Sequence, residues 1–455
     1  MGFFRDYSHL ISDNPARKHY GIAITDLDFD GQPEAFITGF AFPNQVLKWN
    51  GHAFIDIAPP LLADPHSASI GVAAADIDQD GKEEIYVLNT DTYAGEKRFS
   101  DKLFTYGQEW VDLFSLEKNQ EAINPSAGRS VIAVDRIGKG RYGFYLANYG
   151  GAIRFYEQDH ENRLMDIASL IGLNYQTGGR SAVSLPILSS QMDIYAGNEW
   201  GPNYFFHNQG DGTYLEVAAE LGLSDEKQHA RGIYALDAND DGKMDLVCSN
   251  WEGYHKMFIQ EDNASFQDRA IASMASPSKV RTVIAADFDN DGYEEIFFNN
   301  IGEPNRLFKY MEGSWVKVDI GQALEPFGHG TGAAVADLDG DGILELLISH
   351  GESSFQPLSL FKAEAPANKY LRIQPLTPAG APARGALIKL YQPGRTQIRT
   401  IDAGSGYLCQ MEPVAHFGLG NSTEIERIEI FWPDGKKVDW QTDQLNTLHK
   451  VAYPR

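Results

Sequence analysis

The sequence predicts an all-β protein: a seven-bladed β-propeller closed by its N-terminal strand, followed by a small C-terminal β-domain. Two series of repeats predict this architecture. An acidic nine-residue phrase returns about every 50 residues, and a short strand signal returns with the same period but out of phase. Because the strand series starts before the first acidic phrase, we expect the first strand to pair with the last repeat and close a ring. An open solenoid is the alternative, but it needs no phase-shifted first strand.

The acidic phrase has the pattern D-x-[DN]-x-D-G-x-x-[DE] and lies between a small-apolar run and a β-rich run, as in a strand–loop–strand unit. Two carboxylates ~4 Å apart repel by about 4 kcal/mol in a partly screened site, and a hard cation removes that penalty. Oxygen ligands at positions 1, 3, 5 and 9, a backbone carbonyl at position 7 and glycine at position 6 suit Ca²⁺. An EF-hand would need its acidic ligand at position 12.

Five copies of the phrase predict about five Ca²⁺ ions, bound mainly by side chains. The predicted side-chain ligands are Asp26, Asp28, Asp30, Glu34, Asp76, Asp78, Asp80, Glu84, Asp237, Asn239, Asp241, Asp245, Asp287, Asp289, Asp291, Glu295, Asp337, Asp339, Asp341 and Glu345. The residues expected to bind through their backbone carbonyls are Gln32, Lys82, Lys243, Tyr293 and Ile343.

Two degenerate copies fill the gap between the second and third acidic phrases. The first, RSVIAVDRIGKGRYGFYLAN, keeps Asp135 but has Lys139 at a ligand position, so we expect its ammonium to replace the metal ion. The second, RSAVSLPILSSQMDIYAGN, keeps only Asp193. The strand series also has seven members, which begin at Phe4, Phe54, Trp110, Leu164, Tyr214, Phe266 and Trp315.

Composition narrows the possible partners. Five bound Ca²⁺ would reduce the formal net charge of −25 to −15, which still argues against nucleic acid or an anionic membrane as a partner. No stretch approaches 18 apolar residues, so we expect no membrane insertion. The N-terminus shows no signal peptide, which predicts a cytoplasmic protein unless a leader has been removed. We expect a monomer in which Cys248 and Cys409 are buried thiols rather than a disulfide.

The repeats resemble FG-GAP/VCBS repeats, the blades of integrin α-subunit propellers. Residues 368–440 resemble the ASPIC/UnbV module, with the ordered motifs NKYLRI, RGALIKLY, GSGYLCQ, HFGLG and WPDGKKV. Together they are similar to the cartilage acidic protein family. The resemblance implies a calcium-binding propeller and implies no reaction, because fold is not function. We expect a propeller over residues 1–363 and an ASPIC/UnbV-like β-domain over residues 367–455, resting on the propeller.

One face of the predicted propeller carries a second candidate site. Each inner strand runs toward its acidic loop, so its start lies on the opposite face, here called the top face. Six residues before the first loop position, four consecutive blades carry arginine. The candidate ligand-binding residues are Arg129, Arg180, Arg231, Arg281, Trp200, Trp251 and His350. The arginines either pair with carbonyls or acids of neighbouring blades, or bind an anionic or polyhydroxylated ligand. Four histidines before inner strands fit no zinc signature and are expected to be packing residues: His19, His66, His229 and His329.

These observations favour a binding or adhesion-type protein with structural calcium, whose top face and C-terminal module recognise a protein or glycan ligand. The alternative is a calcium-dependent enzyme, a lyase, hydrolase or secondary-metabolite tailoring enzyme, with its site among Arg231, Arg281 and His350. A purely architectural subunit is a third option. No motif for nucleophilic catalysis or phosphate binding occurs, and we predict no catalytic residue.

Overall fold

Seven four-stranded antiparallel blades form a propeller over the larger part of the chain, and the third and fourth blades are joined in one eight-stranded sheet. The computed structural model describes residues 2–364, 368–420 and 422–454. The blade strands are β1 (Phe4–Asp6), β2 (His19–Thr25), β3 (Glu34–Gly39), β4 (Gln45–Trp49), β5 (Phe54–Asp56), β6 (Ser69–Ala75), β7 (Glu84–Asn89), β8 (Lys102–Tyr106), β9 (Trp110–Asp112), β10 (Gly128–Val134), β11 (Gly143–Ala152), β12 (Arg154–Gln158), β13 (Leu164–Asp166), β14 (Gln176–Pro186), β15 (Met192–Asn198), β16 (Tyr204–Asn208), β17 (Tyr214–Glu216), β18 (Ala230–Leu236), β19 (Asp245–Asn250), β20 (Lys256–Gln260), β21 (Phe266–Asp268), β22 (Val280–Ala286), β23 (Glu295–Asn300), β24 (Arg306–Met311), β25 (Ser314–Val318), β26 (Gly330–Ala336), β27 (Glu345–His350) and β28 (Ser359–Ala363).

Blades 1 to 6 are four consecutive strands each, starting with β2–β5 and ending with β22–β25. Blade 7 consists of β26, β27 and β28, and β1 is its outermost strand. In that closure Phe4 pairs with Ala363 and Asp6 pairs with Phe361. The inner strands contact one another in a closed cycle from β2 round to β26 and back to β2. The predicted seven-bladed ring closed by the first strand is therefore confirmed.

Helices are short and lie in the connections between blades. The α-helices are α1 (Pro60–Ala63), α2 (Ala218–Leu221) and α3 (Ala272–Ala275). The 3₁₀ turns are Ser8–Leu10, Leu113–Ser115, Glu117–Ala122, Ala168–Leu170 and Gln322–Leu324. Across the described parts of the chain, no helix has the length and apolar character needed to cross a membrane.

The inner strands combine small and branched apolar residues because they are buried on both sides. In β6, Val72, Ala73, Ala74 and Ala75 have no exposed surface. Each inner strand also has an irregular register near its start; in β10, for example, pairing shifts between Gly128 and Ser130. Such a β-bulge redirects one side chain relative to its neighbours.

The C-terminal residues form two further sheets. Their strands are β29 (Lys369–Pro375), β30 (Leu387–Gln392), β31 (Arg395–Thr400), β32 (Ala415–Gly420), β33 (Arg427–Phe431), β34 (Lys437–Trp440) and β35 (Leu448–Val451). One sheet has the order β32-β29-β35 and the other β31-β30-β33-β34. Ile373, Ile388, Phe417 and Ile430 belong to a core shared by both sheets. We call this part, residues 368–454, the C-terminal module.

A loop of the C-terminal module, residues 401–412, enters the central channel of the propeller. Gly406 exchanges two backbone hydrogen bonds with Ile233 of β18, of 2.9 and 2.7 Å. On the other side of the channel, Ile24 of β2 donates to the Gln410 carbonyl at 3.1 Å. Gln410 also uses both side-chain polar atoms on the backbone of Ala74 in β6. We call residues 401–412 the channel loop.

Two smaller expectations are also settled by the fold. Cys248 and Cys409 are free and buried, as expected, and Cys409 lies in the channel loop. The expectation that the Lys139 ammonium replaces a metal ion is wrong, since it forms no ion pair with any described residue. Blade 3 instead pairs Arg136 with Glu157, at 2.6 Å.

Candidate functional site

All five acidic loops are folded by the same three sets of hydrogen bonds. In blade 1 the position-1 carboxylate of Asp26 accepts from the Gly31 amide at 2.9 Å. The position-5 aspartate accepts from the amide of position 7, and the position-9 acid accepts from the amide of position 2. The position-7 donors are Gln32, Lys82, Lys243, Tyr293 and Ile343. The repeated bonds explain why acids recur at these positions even before any ion is considered.

Two left-handed residues bend each loop. Position 6 is glycine with φ between 81° and 98° in the five loops. Position 4 is left-handed as well, with φ of 63° at Phe29, 65° at Gln79 and 57° at Asn290. The sequence signals the bend at position 6 through an invariant glycine, whereas position 4 signals it in only three loops, through Asp240, Asn290 and Gly340.

Four of the five loops bring carboxylate oxygens close enough to share one ion. In each, three acidic residues offer oxygens within 4.8 Å of one another. The groups are Asp26–Asp28–Glu34, Asp76–Asp78–Glu84, Asp287–Asp289–Asp291 and Asp337–Asp339–Glu345. Blade 5 shows no such group among its described residues; there position 3 is Asn239, whose amide donates to Asp241 at 3.1 Å.

Buried carboxylate oxygens without hydrogen-bond partners indicate that a cation fits these loops. Oδ1 of Asp26, Asp289 and Asp337 is buried and accepts no hydrogen bond from the described residues. An unsatisfied buried carboxylate oxygen is costly unless a cation neutralises it. An all-oxygen donor set of this kind suits a hard divalent ion such as Ca²⁺. The residues present therefore fit the ion that the phrase predicts.

Burial also makes the ionised form of these carboxyls costly. It raises the pKa of Asp76 and of Glu34 to about 7 and that of Glu345 to about 8. Neighbouring acids in the same loop add to the effect, for example Asp78 beside Asp76. A bound cation would act in the opposite direction, because it favours the charged carboxylates.

The four predicted arginines lie together at the top of the channel, where the irregular register of each inner strand directs them inward. Arg180 and Arg231 share the Glu199 carboxylate, with Arg231 Nη2 2.7 Å from Glu199 Oε1. Arg281 pairs with Glu352. Arg129 donates to the Tyr93 carbonyl of the neighbouring blade. The four Nε atoms are buried and have no hydrogen-bond partner among the described residues.

Aromatic rings separate the guanidinium groups. Trp251 lies between two of them, with its ring 5.4 Å from Arg231 and 4.9 Å from Arg281. The ring of Tyr149 lies 4.3 Å from Arg180. Burial, followed by the nearby Arg180 and Arg281, lowers the pKa of Arg231 to about 9. We call the four arginines with Glu199, Glu352 and these rings the arginine cluster.

The other candidate residues are divided between surface and interior. Trp200 is 66% exposed, and its indole donates to the Tyr149 hydroxyl. His350 is buried; its Nδ1 donates to the Pro357 carbonyl at 2.8 Å, and its Nε2 lies 3.3 Å from Glu325. Of the four histidines, His19 is fully buried, and burial lowers its pKa to about 4. His229 donates to the Glu199 carbonyl at 2.6 Å.

Sequence reasoning missed the residue at the centre of the arginine cluster. Tyr407 of the channel loop is buried, and its ring lies 5.9 Å from Arg281. Burial acts to raise the pKa of Tyr407, but the four surrounding arginines lower it. The GSGY motif could have identified this tyrosine as unusual, but nothing in the chain places it inside the propeller.

The C-terminal module lies against the acidic-loop face, opposite the arginine cluster. Gly418 donates its amide to Asp287 at 2.8 Å, and Arg372 donates to Asp337 at 2.7 Å. The expectation that the module and the top face form one recognition surface is therefore wrong. Within the described part of the module, the channel loop is the segment that reaches the arginines, because Tyr407 at its tip lies among them. The module instead contacts the acidic loops directly.

Two family models match parts of the chain. The family model described as FG-GAP-like repeat matches residues 26–87, 190–248, 237–298 and 287–348. The model described as ASPIC and UnbV matches residues 377–455. Among solved structures, the chain is similar to BBS1N in a complex with ARL6DN, with 10% sequence identity and a TM-score of 0.49 over 80% of this chain and 98% of that chain.

Two curated relatives are similar along almost the whole chain. Cartilage acidic protein 1 of Xenopus tropicalis is 44% identical over 97% of this chain and 74% of its own length. Cartilage acidic protein 1 of Homo sapiens is 44% identical over 97% of this chain and 73% of its own length. With its FG-GAP-like repeats and its ASPIC and UnbV module, the chain belongs to the cartilage acidic protein family.

Proposed function

We propose that this protein is a calcium-stabilised binding protein whose top face recognises a protein partner. About five Ca²⁺ ions hold the acidic loops, and the ions are structural. We also infer that the chain divides into a propeller over residues 1–363 and an ASPIC/UnbV-like β-domain over residues 367–455. The acidic loops on one face support the calcium part of the proposal. The exposed hydrophobic side chains and the arginine cluster of the top face support the protein partner.

The distribution of exposed hydrophobic side chains carries the proposal of a protein partner. In the described ranges, thirteen large hydrophobic side chains are exposed, and nine of them lie in connections on the top face. These nine are Leu61, Tyr93, Phe99, Leu170, Trp200, Tyr254, Leu324, Phe327 and Phe355. Aromatic residues are enriched at the centres of protein interfaces, where they supply most of the binding energy.

The arginine cluster supports the same face as the recognition site. Four guanidinium groups face two carboxylates, so the cluster keeps an excess of positive charge in a protein with a net charge of −25. Arginine forks bind carboxylates with favourable geometry. An acidic side chain of a partner, placed between the exposed aromatic residues, would meet this positive charge.

The contacts beneath the propeller explain why calcium would stabilise the whole molecule. Asp287 and Asp337 are predicted ion ligands and also bind the C-terminal module. An ion at these loops would fix the carboxylates that the module uses. Loss of the ions would leave buried carboxylate oxygens such as Oδ1 of Asp337 without a counter-charge, and it would weaken the contacts that hold the module.

A binding screen with matched variants tests the proposed function. The full chain would be tested in Ca²⁺ buffer against a library of displayed extracellular protein domains and against a glycan array. We expect a protein ligand whose binding is lost in Phe327→Asp and in Tyr254→Asp. The control is Leu215→Asp, because Leu215 is 54% exposed on the outer strand β17. Binding that survives both top-face variants would contradict the proposal, and top-face-dependent binding to glycans alone would replace the protein partner with a sugar.

A further inference from the structure

One side-chain position on the third strand of each blade faces the acidic loop of that blade. It is the fourth residue of that strand. Its occupants in blades 1 to 7 are Lys48, Thr105, Glu157, His207, Ile259, Lys309 and Lys362. Three of the seven are lysines, and all three occur in blades with a complete acidic phrase.

The lysines place their ammonium groups among the carboxylates predicted to hold the ion. In blade 7, Lys362 Nζ lies 2.9 Å from Asp339, 2.7 Å from Asp341 and 2.6 Å from Glu345. These are loop positions 3, 5 and 9. The equivalent lysines of blades 1 and 6 contact the same three positions: Lys48 and Lys309. The ammonium therefore uses the oxygens that a metal ion would need.

The Lys362 side chain is only 7% exposed, so this contact is shielded from solvent. The position-1 carboxylate does not take part. Its Oδ1, that of Asp337, is buried and has no partner among the described residues. The carboxylates of blade 7 are thus partly neutralised by Lys362 and by Arg372, which lies 2.7 Å from Asp337 Oδ2, and Asp337 Oδ1 keeps no partner among the described residues.

Blades 2 and 5 have no lysine at this position. In blade 2 the Thr105 hydroxyl donates to Glu84 at 2.9 Å. The nearest ammonium, that of Lys82, is 3.9 Å from Asp80. Blade 5 has the apolar Ile259 and one carboxylate fewer, because its position 3 is an asparagine. Blade 2 therefore combines four acidic residues with no described ammonium group in contact with positions 3, 5 and 9 together.

The two degenerate blades use the same position for charge pairing. In blade 4, His207 Nδ1 lies 2.8 Å from Asp193, the one acid that this loop retains. In blade 3 the charges are reversed, and Glu157 pairs with Arg136 of the loop. An internal charge pair thus occurs at this position where no metal ion is predicted.

We propose that the third-strand lysines are internal counter-cations that divide the calcium loops into two classes. Lys48, Lys309 and Lys362 keep the loops of blades 1, 6 and 7 folded when no ion is bound, and a Ca²⁺ ion must displace them. Those loops bind Ca²⁺ more weakly and release it more readily than the loop of blade 2. This inference rests on the calcium binding of the proposed function and adds an order of affinities to it.

Calcium titration calorimetry on the chelator-treated full chain tests the division. We expect a tight class that contains blade 2 and a weaker class that contains blades 1, 6 and 7. Lys362→Met should tighten one weak site by about tenfold, since a competing charge is removed. Thr105→Lys should weaken the tight site by a similar factor. Lys256→Met is the matched control, because Lys256 lies on a third strand but pairs with Asp268, outside the loops.

Melting in chelator provides the second readout. Without Ca²⁺, Lys362→Met should melt below the wild type, whereas Thr105→Lys should melt at or above it. A lower Ca²⁺ affinity of Lys362→Met would show that the lysine assists ion binding. An unchanged affinity would show that the lysine does not compete with the ion. Either result would overturn the inference. If no variant binds Ca²⁺, the proposed function fails. Equal melting temperatures of Lys362→Met and wild type in chelator would independently refute the role of lysine as a counter-cation.

Discussion

A single arginine of the C-terminal module makes the most deeply buried ion pair between the module and the propeller. Arg384 has no exposed surface and meets both carboxylate oxygens of Glu83, at 2.5 and 3.0 Å. It also donates to the carbonyls of Asp402 and Ile24. Glu83 is position 8 of the second acidic phrase and was not predicted to have a role. Its partner lies 301 residues away, and the local pattern gives no sign of it.

Arg384→Met should therefore destabilise the protein by about 3–5 kcal/mol, because it leaves the Glu83 carboxylate buried without a counter-charge. Chemical unfolding of the full chain measures this loss. The double variant Arg384→Met/Glu83→Gln should recover part of it. Arg427→Met is the control, with an expected effect below about 1 kcal/mol, since Arg427 is 49% exposed beside Glu429. A loss no larger than that of the control would contradict the importance of this pair.

Individual blades show which elements a sequence can predict. The alternation of small-apolar run, acidic loop and β-rich run predicts the inner two strands, because burial and turn chemistry are local. The third-strand lysines escaped prediction, since the contact of Lys362 with Asp339 depends on how the hairpin folds back. In blade 3 the sequence predicted a contact that does not form. Lys139 occupies a ligand position of the repeat, but Arg136 makes the ion pair with Glu157.

Blade 4 makes a pH-dependent contribution through His207. The hydrogen bond to Asp193 is the main cause that raises the pKa of His207 above its ordinary value of about 6.5. The stability from this pair is present below pH ~6.5 and is lost as the pH rises through the raised pKa. The gain should be below about 1 kcal/mol, because the His207 side chain is 29% exposed.

Melting temperatures at pH 5.5 and 8.5 test this expectation. His207→Gln should lower the melting temperature at the lower pH and have little effect at the higher pH. His160→Gln is the control, since His160 is 87% exposed. An equal effect of His207→Gln at both pH values would show that the pair does not depend on charge.

At the scale of the whole molecule, the ring is closed by three residues at the N-terminus. The phase shift between the two repeat series predicts this closure. The first strand precedes the first repeat, and the last repeat lacks its fourth strand, so the first strand completes the last blade. The channel loop could not be predicted in the same way. Its hydrogen bonds with all seven inner strands join residues far apart in sequence. Its own sequence of small and apolar residues has no strand or helix period.

Phe4 should be the residue on which ring closure depends most. It is 1% exposed, lies in β1 and packs its ring 4.9 Å from that of Phe288. Phe4→Ala should cost about 3–5 kcal/mol, which is typical of a buried phenylalanine. Phe355→Ala is the matched control, because Phe355 is 57% exposed and its loss should be nearly neutral. Similar unfolding free energies for the two variants would argue against a closing strand.

The melting temperature of the full chain with and without Ca²⁺ tests the proposal that divalent ions hold the acidic loops. At a free Ca²⁺ concentration 100-fold above its Kd, each occupied loop should add about 2.7 kcal/mol. For a chain of 455 residues, that is a rise in the melting temperature of ~3 °C if one loop responds and ~6 °C if two respond. We expect the chelated protein to melt well below the Ca²⁺-loaded protein, with Mg²⁺ restoring less, since Mg²⁺ demands a tighter octahedral site. A change of less than ~2 °C between chelator and Ca²⁺ would show that divalent ions do not hold the acidic loops.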